Sequence, residues 1–133
     1  MMVLAVEKGN VAVITGAASG IGLAVAQHLA RLGLRVCPAD LGADRLDAAR
    51  AQVLALGVDS VDVIVCETDV GDVVALRALA DRSYAAFGAV HVPVNNAGVQ
   101  PRSSIFDTEA NWDRIIAVNM MGVVRGSQIL PPG

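Results

Sequence analysis

Aromatic residues make up only 3% of the 133-residue chain: one tryptophan, one tyrosine and two phenylalanines. A core must therefore be filled by Ala, Val, Leu and Ile, which dominate a hydrophobic content of 54%. That composition suits helices packed on a buried parallel sheet. Cysteine is equally scarce. Cys37 and Cys66 are too few for a disulfide-stapled scaffold and read as buried, reduced thiols in neighbouring strands. Two thiols and two distant histidines, His28 and His91, match no usual metal-ligand spacing, so no metal is expected and both histidines read as surface residues. Charge is nearly balanced, with 10 basic against 13 acidic residues and no basic cluster, which argues against a nucleic-acid partner. No apolar run approaches the roughly eighteen residues of a membrane span. The opening Met1–Val6 also lacks the basic lead and apolar length of a secretion signal. The expectation is one cytoplasmic domain over 1–133 with no membrane partner.

What is present is organised around residues 11–22. Val11, Ala12, Val13 and Ile14 form the short continuous apolar run of a strand buried on both faces. It stops at a glycine-rich turn, and a helical pattern begins at once, with Ile21, Val25, Leu29 and Leu32 expected on one inward stripe. Such a turn presents unpaired backbone N–H groups and the positive end of the helix dipole, a natural seat for a pyrophosphate. Gly16 would permit the tight turn, Gly20 would leave room for close approach, and Gly22 would let the helix press on the strand, with Ser19 and Ile21 completing the cradle. Alone, the Thr-Gly-x-x-x-Gly-x-Gly spacing is compatible with a plain structural turn, since the dinucleotide fingerprint has one residue between its first two glycines. A phosphate-loop nucleotidase is excluded because no Lys-Ser/Thr follows.

Strand and helix then alternate with a period that argues for right-handed crossovers and parallel pairing. The second strand, Leu34–Asp40, ends on an acid about twenty residues after the glycines, where dinucleotide folds hold the adenosine ribose. Asp40 would also repel a 2′-phosphate. No base occupies Ala17, Ala18, Ser19 or Leu41, so NAD is favoured over NADP, although Asp40 could instead cap the next helix. A helix over Asp44–Leu56 follows, its charged residues read as a solvated face. Next come a third strand over Val61–Glu67, a helix over Val73–Phe87 and a fourth strand leading into Asn95-Asn96-Ala97-Gly98. A loop over Val99–Ser104 connects to a long helix from about Thr108 to Leu130.

The glycine turn, the Asn-Asn-Ala-Gly element and the stretch Asn111-Trp-Asp-Arg-Ile-Ile-Ala-Val-Asn119 together resemble the short-chain dehydrogenase/reductase family. The resemblance implies an α/β fold: an incomplete Rossmann-type doubly wound parallel sheet, strand order 3-2-1-4, with flanking helices and C-terminally truncated. It implies an oxidoreductase that transfers hydride between NAD and a small-molecule alcohol or carbonyl substrate. It also implies that Asp69 and Val70 meet the adenine, though Asp69 could equally start a helix. Asn96 and Gly98 would line the nicotinamide side, and Asn119 would serve a catalytic proton relay. Trp112 is read as packing, and homo-oligomer formation is expected through the long fourth helix.

Two departures stand out. The family's catalytic serine and Tyr-x-x-x-Lys pair have no counterpart here: Tyr84 is the only tyrosine, and Gly88 stands where the lysine would be. The rival reading is thus a catalytically inactive chain that binds dinucleotide weakly or only associates with a full-length relative. Pro38 and Pro93 also fall inside expected strands, where each deletes a ladder donor.

Overall fold

A computed structural model describes residues 6–98 and 108–130. The loop expected over Val99–Ser104 lies outside the described residues, as do 1–5 and 131–133. The element order is β1 (Val11–Thr15), α1 (Gly20–Arg31), β2 (Arg35–Asp40), α2 (Ala43–Leu54), β3 (Cys66–Glu67), α3 (Val73–Phe87), β4 (Val92–Val94), α4 (Glu109–Ile115), a π-helical turn (Ile116–Met121) and α5 (Gly122–Ile129). The strands form one parallel sheet, as the alternating pattern predicts, in the order β3-β2-β1-β4 that the family resemblance implies.

The continuous apolar run of β1 has a direct physical reading. All five of its residues are buried, and alternate side chains enter opposite layers. Val11 and Val13 join Cys37, Leu76, Leu79, Phe87, Val118 and Leu130 on the face covered by α3 and the α4–α5 run. Ala12 and Ile14 join Leu23, Ala26, Leu29, Ala49 and Val53 on the face covered by α1 and α2. The sheet is therefore the middle of three layers, and β1 sits at its centre.

Several expectations need correction. The inward stripe of α1 is Gly22, Leu23, Ala26, Leu29 and Ala30, with Val25 packed beside it; of the expected series Leu29 and Val25 face inward, but Ile21 is 76% exposed and Leu32 is also exposed. The close seat of Gly22 against the Gly16 carbonyl, just past β1, fixes the helix rotation, and Ile21, one residue earlier, must then face outward. Trp112 is exposed rather than packed inside. His91 is half-buried, and its Nδ1 accepts the Val11 N–H at 2.9 Å, so it pins the start of β1 instead of lying free on the surface. Arg50 is not simply solvated either, because it donates to the carbonyls of Val63 and Ser60 and ties α2 to the approach of β3.

The two prolines have different consequences. In β4, Thr15 Oγ1 donates to the Val94 carbonyl at 3.3 Å, so that carbonyl faces β1. Backbone alternation turns Pro93 the other way, where no described strand pairs with it, and its missing N–H deletes no bond to β1. Pro38 lies between two neighbours. Arg35 N–H donates to Asn10 in line with β1, whereas the Val36 and Asp40 carbonyls accept from Ile64 and Thr68 on the other side. Pro38 shares the orientation of Val36 and Asp40, so its nitrogen faces β3. The third strand is consequently broken: an isolated bridge joins Val36 to Val63, and the ladder resumes only at Ala39–Cys66 and Asp40–Glu67. The strand expected over Val61–Glu67 shrinks to two residues, and a 3₁₀ turn occupies Ser60–Asp62. The lost bond is worth about 0.5–1.5 kcal/mol.

In P38V the restored amide at position 38 is expected to donate to Ile64 and join the β3 ladder. Hydrogen exchange should find that amide as protected as its neighbours in β2; exchange at the rate of an open loop would contradict this assignment.

Candidate functional site

Backbone approach at the carboxyl end of β1 builds the site. Gly16 has φ +66°, and a Cβ there would come within 2.9 Å of Ala97 Cα. A Cβ on Gly22 would collide with the Gly16 carbonyl oxygen and lie 2.7 Å from Asn96 Nδ2. Neither position accepts a side chain without displacing backbone. The opposite holds at Gly20, where φ is +61° and a Cβ would meet nothing within 4 Å. That glycine is bare toward open space, as close approach by a ligand requires.

The start of α1 is uncapped. Ser19 occupies the N-cap in extended backbone, but its side chain makes no cap bond, and no acid lies in the first turn. Its hydroxyl is engaged elsewhere, since Arg45 Nη2 donates to Ser19 Oγ at 3.2 Å. The N–H groups of the first helical turn thus lack both usual protein partners, and the helix dipole adds partial positive charge at the same place. This donor set and the open space over Gly20 fit a pyrophosphate.

Asp40 stands beside that turn. Its Oδ2 accepts the Ala18 N–H at 3.0 Å and its Oδ1 accepts the Leu41 N–H at 2.7 Å, while α2 is capped by Gly42 with no side-chain bond. The helix-cap alternative therefore drops away. Asp69 does not start α3 either, because Asp72 does so by accepting the Val74 N–H. Asp69 instead accepts the Gly71 N–H and pairs with Arg114 at 2.9 Å. Both acids line one cavity of about 270 Å³ with Gly16, Ser19, Asn96 and Gly98. Val70 lines it too and packs under α5, where a Cβ on Gly122 would be 3.0 Å from Val70 Cγ2. Of the expected cradle, Gly16 and Ser19 line the cavity, whereas Gly20, Ile21 and Gly22 do not.

Asn96 has a structural task that explains its place. Its Nδ2 donates to the Gly16 carbonyl at 3.3 Å and its N–H to Thr15 Oγ1 at 3.1 Å, and the Ala97 N–H donates to the same hydroxyl. The buried Thr15 hydroxyl thus gathers the end of β4 onto the end of β1. Asn119 falls within the π-helical turn, and its Oδ1 would be 3.6 Å from a Cβ on Gly98, so the turn brings it to the Gly98 side of the site.

Sequence reasoning missed Thr15, Arg45 and Arg114. The signal for Thr15 was a hydroxyl at the end of an otherwise apolar buried strand. Arg45 and Arg114 each sit on a helix among ordinary surface charges, and only the fold brings them to the cavity. Cys37 is not a reactive group: burial pushes its thiol up to about 12, against a smaller lowering effect from a Ser83 hydrogen bond. Among the described residues no His/Cys/Asp/Glu cluster could hold a metal ion, and no helix is long and apolar enough to cross a membrane.

Known proteins share this sequence pattern and fold. The short chain dehydrogenase family model matches residues 10–132. An uncharacterized short-chain type dehydrogenase/reductase of Sinorhizobium fredii is 40% identical over 128 residues, covering 94% of this chain and 50% of its own length. D-threitol dehydrogenase of Mycolicibacterium smegmatis is 38% identical over 115 residues, covering 86% of this chain and 43% of its own. The crystal structure of a short-chain dehydrogenase/reductase from Burkholderia phymatum in complex with NAD superposes with a TM-score of 0.87 at 36% identity, over 96% of this chain and 44% of that one. A metagenomic short-chain oxidoreductase in complex with NADP gives 0.86 at 33% identity, over 94% and 56%. The chain spans about half the length of the curated relatives it matches. With the family model matched along nearly its whole length, this chain belongs to the short-chain dehydrogenase/reductase family.

Proposed function

We propose that this chain is the NAD-binding part of an oxidoreductase that passes hydride between NAD and an alcohol or carbonyl substrate. The uncapped start of α1 beneath the open space at Gly20 carries this reading, because it offers an anion site that no side chain among the described residues fills. The first-turn amides of α1 would hold the pyrophosphate, and Asp40 would accept from the ribose hydroxyls. Asp69 and Val70 would border the adenine, and Gly98 with Asn119 would lie toward the nicotinamide. NAD supplies the hydride acceptor when bound, and this chain's residues bind and orient it. No residue of 1–133 matches the serine or the Tyr-x-x-x-Lys pair of the family, so Asn119 alone represents the proton relay here.

The preference for NAD rests on the Asp40 carboxylate, which would meet a 2′-phosphate with like charge. Arg45 lines the same cavity and partly offsets that charge. Calorimetric titration is expected to give tighter binding of NAD than of NADP, with the ratio falling about tenfold or more in D40A as one charge-assisted hydrogen bond is lost. An unchanged ratio would remove Asp40 from the ribose. Residues 1–133 alone should show no alcohol oxidation with NAD, and turnover abolished by N119A would contradict that.

A second reading, association with another copy or a full-length relative, is favoured by one surface. Trp112, Ile116, Met120, Val123 and Val124 are exposed along α4, the π-helical turn and α5. Their spacing makes a helical apolar stripe. Sedimentation velocity is expected to show a dimer that dissociates in I116E/M120E; a wild-type monomer at high concentration would rule the stripe out as an interface.

A further inference from the structure

Asp69 and Arg114 form an ion pair that the proposed function does not use. They are 45 residues apart in sequence, on the loop before α3 and on α4, and they meet at the cavity wall. Arg114 Nη1 donates to both carboxylate oxygens at 2.9 Å, and the Gly71 N–H donates to Oδ1 at 2.9 Å. The contact depends on bare backbone, because a Cβ on Gly71 would fall 2.9 Å from Nη1 and 3.1 Å from Asp69 Oδ1. The two side chains are 38% and 35% exposed. A pair so open to water adds little to stability.

We infer that Arg114 is a positioning residue that locks the Asp69 carboxylate so that the adenine end of the site selects a 6-amino purine over a 6-oxo purine. This rests on the reading of Asp69 as an adenine contact. An ionised carboxylate accepts at about four lone-pair positions and donates at none. Three contacts are already made, two from Arg114 and one from Gly71. The remaining acceptor capacity suits one further donor, which an exocyclic amino group supplies. A 6-oxo group would bring its lone pairs against the carboxylate. Without the guanidinium only the Gly71 N–H would restrain the side chain, and Asp69 would swing into rotamers that no longer discriminate. Arg114 lies one turn before Val118, which packs beside it at the cavity wall, so the helix bearing Asn119 also helps shape the purine end.

The test compares NAD with nicotinamide hypoxanthine dinucleotide, in which a 6-oxo group replaces the 6-amino group and N1 becomes an N–H donor, by calorimetry on the full chain, and reads the change in their ratio on substitution. Wild type is expected to favour NAD by about tenfold, the worth of one charge-assisted hydrogen bond. R114M should bring the two affinities within about threefold of each other, and R114K should recover part of the preference. D69N, which keeps the shape but loses the acceptor-only carboxylate, should flatten the preference too and stands in if R114M does not fold. If R114M or R114K weakens both dinucleotides equally and leaves their ratio intact, Arg114 merely braces the helix and the inference fails. A wild type that binds both alike overturns the purine selection while leaving the dinucleotide site standing. A wild type that binds neither overturns the proposed function itself, and this inference with it.

Discussion

Backbone touches backbone where the end of β1 meets the end of β4, and the site exists because of that contact. Gly16 lies against Ala97 with no room for a methyl group, Gly22 lies against the Gly16 carbonyl, and the Thr15 hydroxyl collects the Asn96 and Ala97 N–H groups. The sheet order places these two strand ends side by side although they are some eighty residues apart in sequence. Because β1 is central and wholly buried, it cannot shift to relieve a larger side chain. The rotation of α1 follows from the same seat, which leaves the helix start facing the cavity and Ile21 facing solvent.

Around that fixed point the charged groups are held by the chain rather than by each other. Asp40 is anchored by the backbone amides of Ala18 and Leu41, and the Ser19 hydroxyl accepts from Arg45 instead of capping its own helix. The helix start stays uncapped as a result. Asp69 is the exception, since a guanidinium from α4 grips it and joins the floor of the cavity to the helical run that carries Asn119. The site is thus assembled from the carboxyl ends of all four strands, with Arg45 of α2 and the α4 run beside them, as open parallel sheets dispose their ligand sites.

Much of this was legible in the residues. The buried strand, the glycine turn and the acid closing β2 follow from periodicity and spacing, because a parallel sheet with helices on both faces imposes continuous apolar strands and short turns; the sheet order came with the family resemblance. The rotation of α1 was not legible. A four-residue apolar spacing including Ile21 fits a helix equally well, and only the close seat of Gly22 selects the other face. The extent of β3 was hidden for a related reason: its apolar residues suit a strand, but Pro38, on the neighbouring strand, removes the donor that would have extended it. Arg45 and Arg114 were unreadable as site residues because long-range geometry, not local pattern, brings a surface arginine to a cavity. Conversely, the alternatives for Asp40 and Asp69 as helix caps were open in sequence and closed by the hydrogen bonds each acid makes.

The central claim is that amides at the start of α1 hold paired phosphates. Backbone amide NMR during titration with NAD addresses it most directly. The account predicts that the largest shifts fall on residues 19–22, with smaller ones at Asp40 and Gly98. If those amides stay still while the exposed face of α4 and α5 moves, dinucleotide binds elsewhere and the claim is wrong.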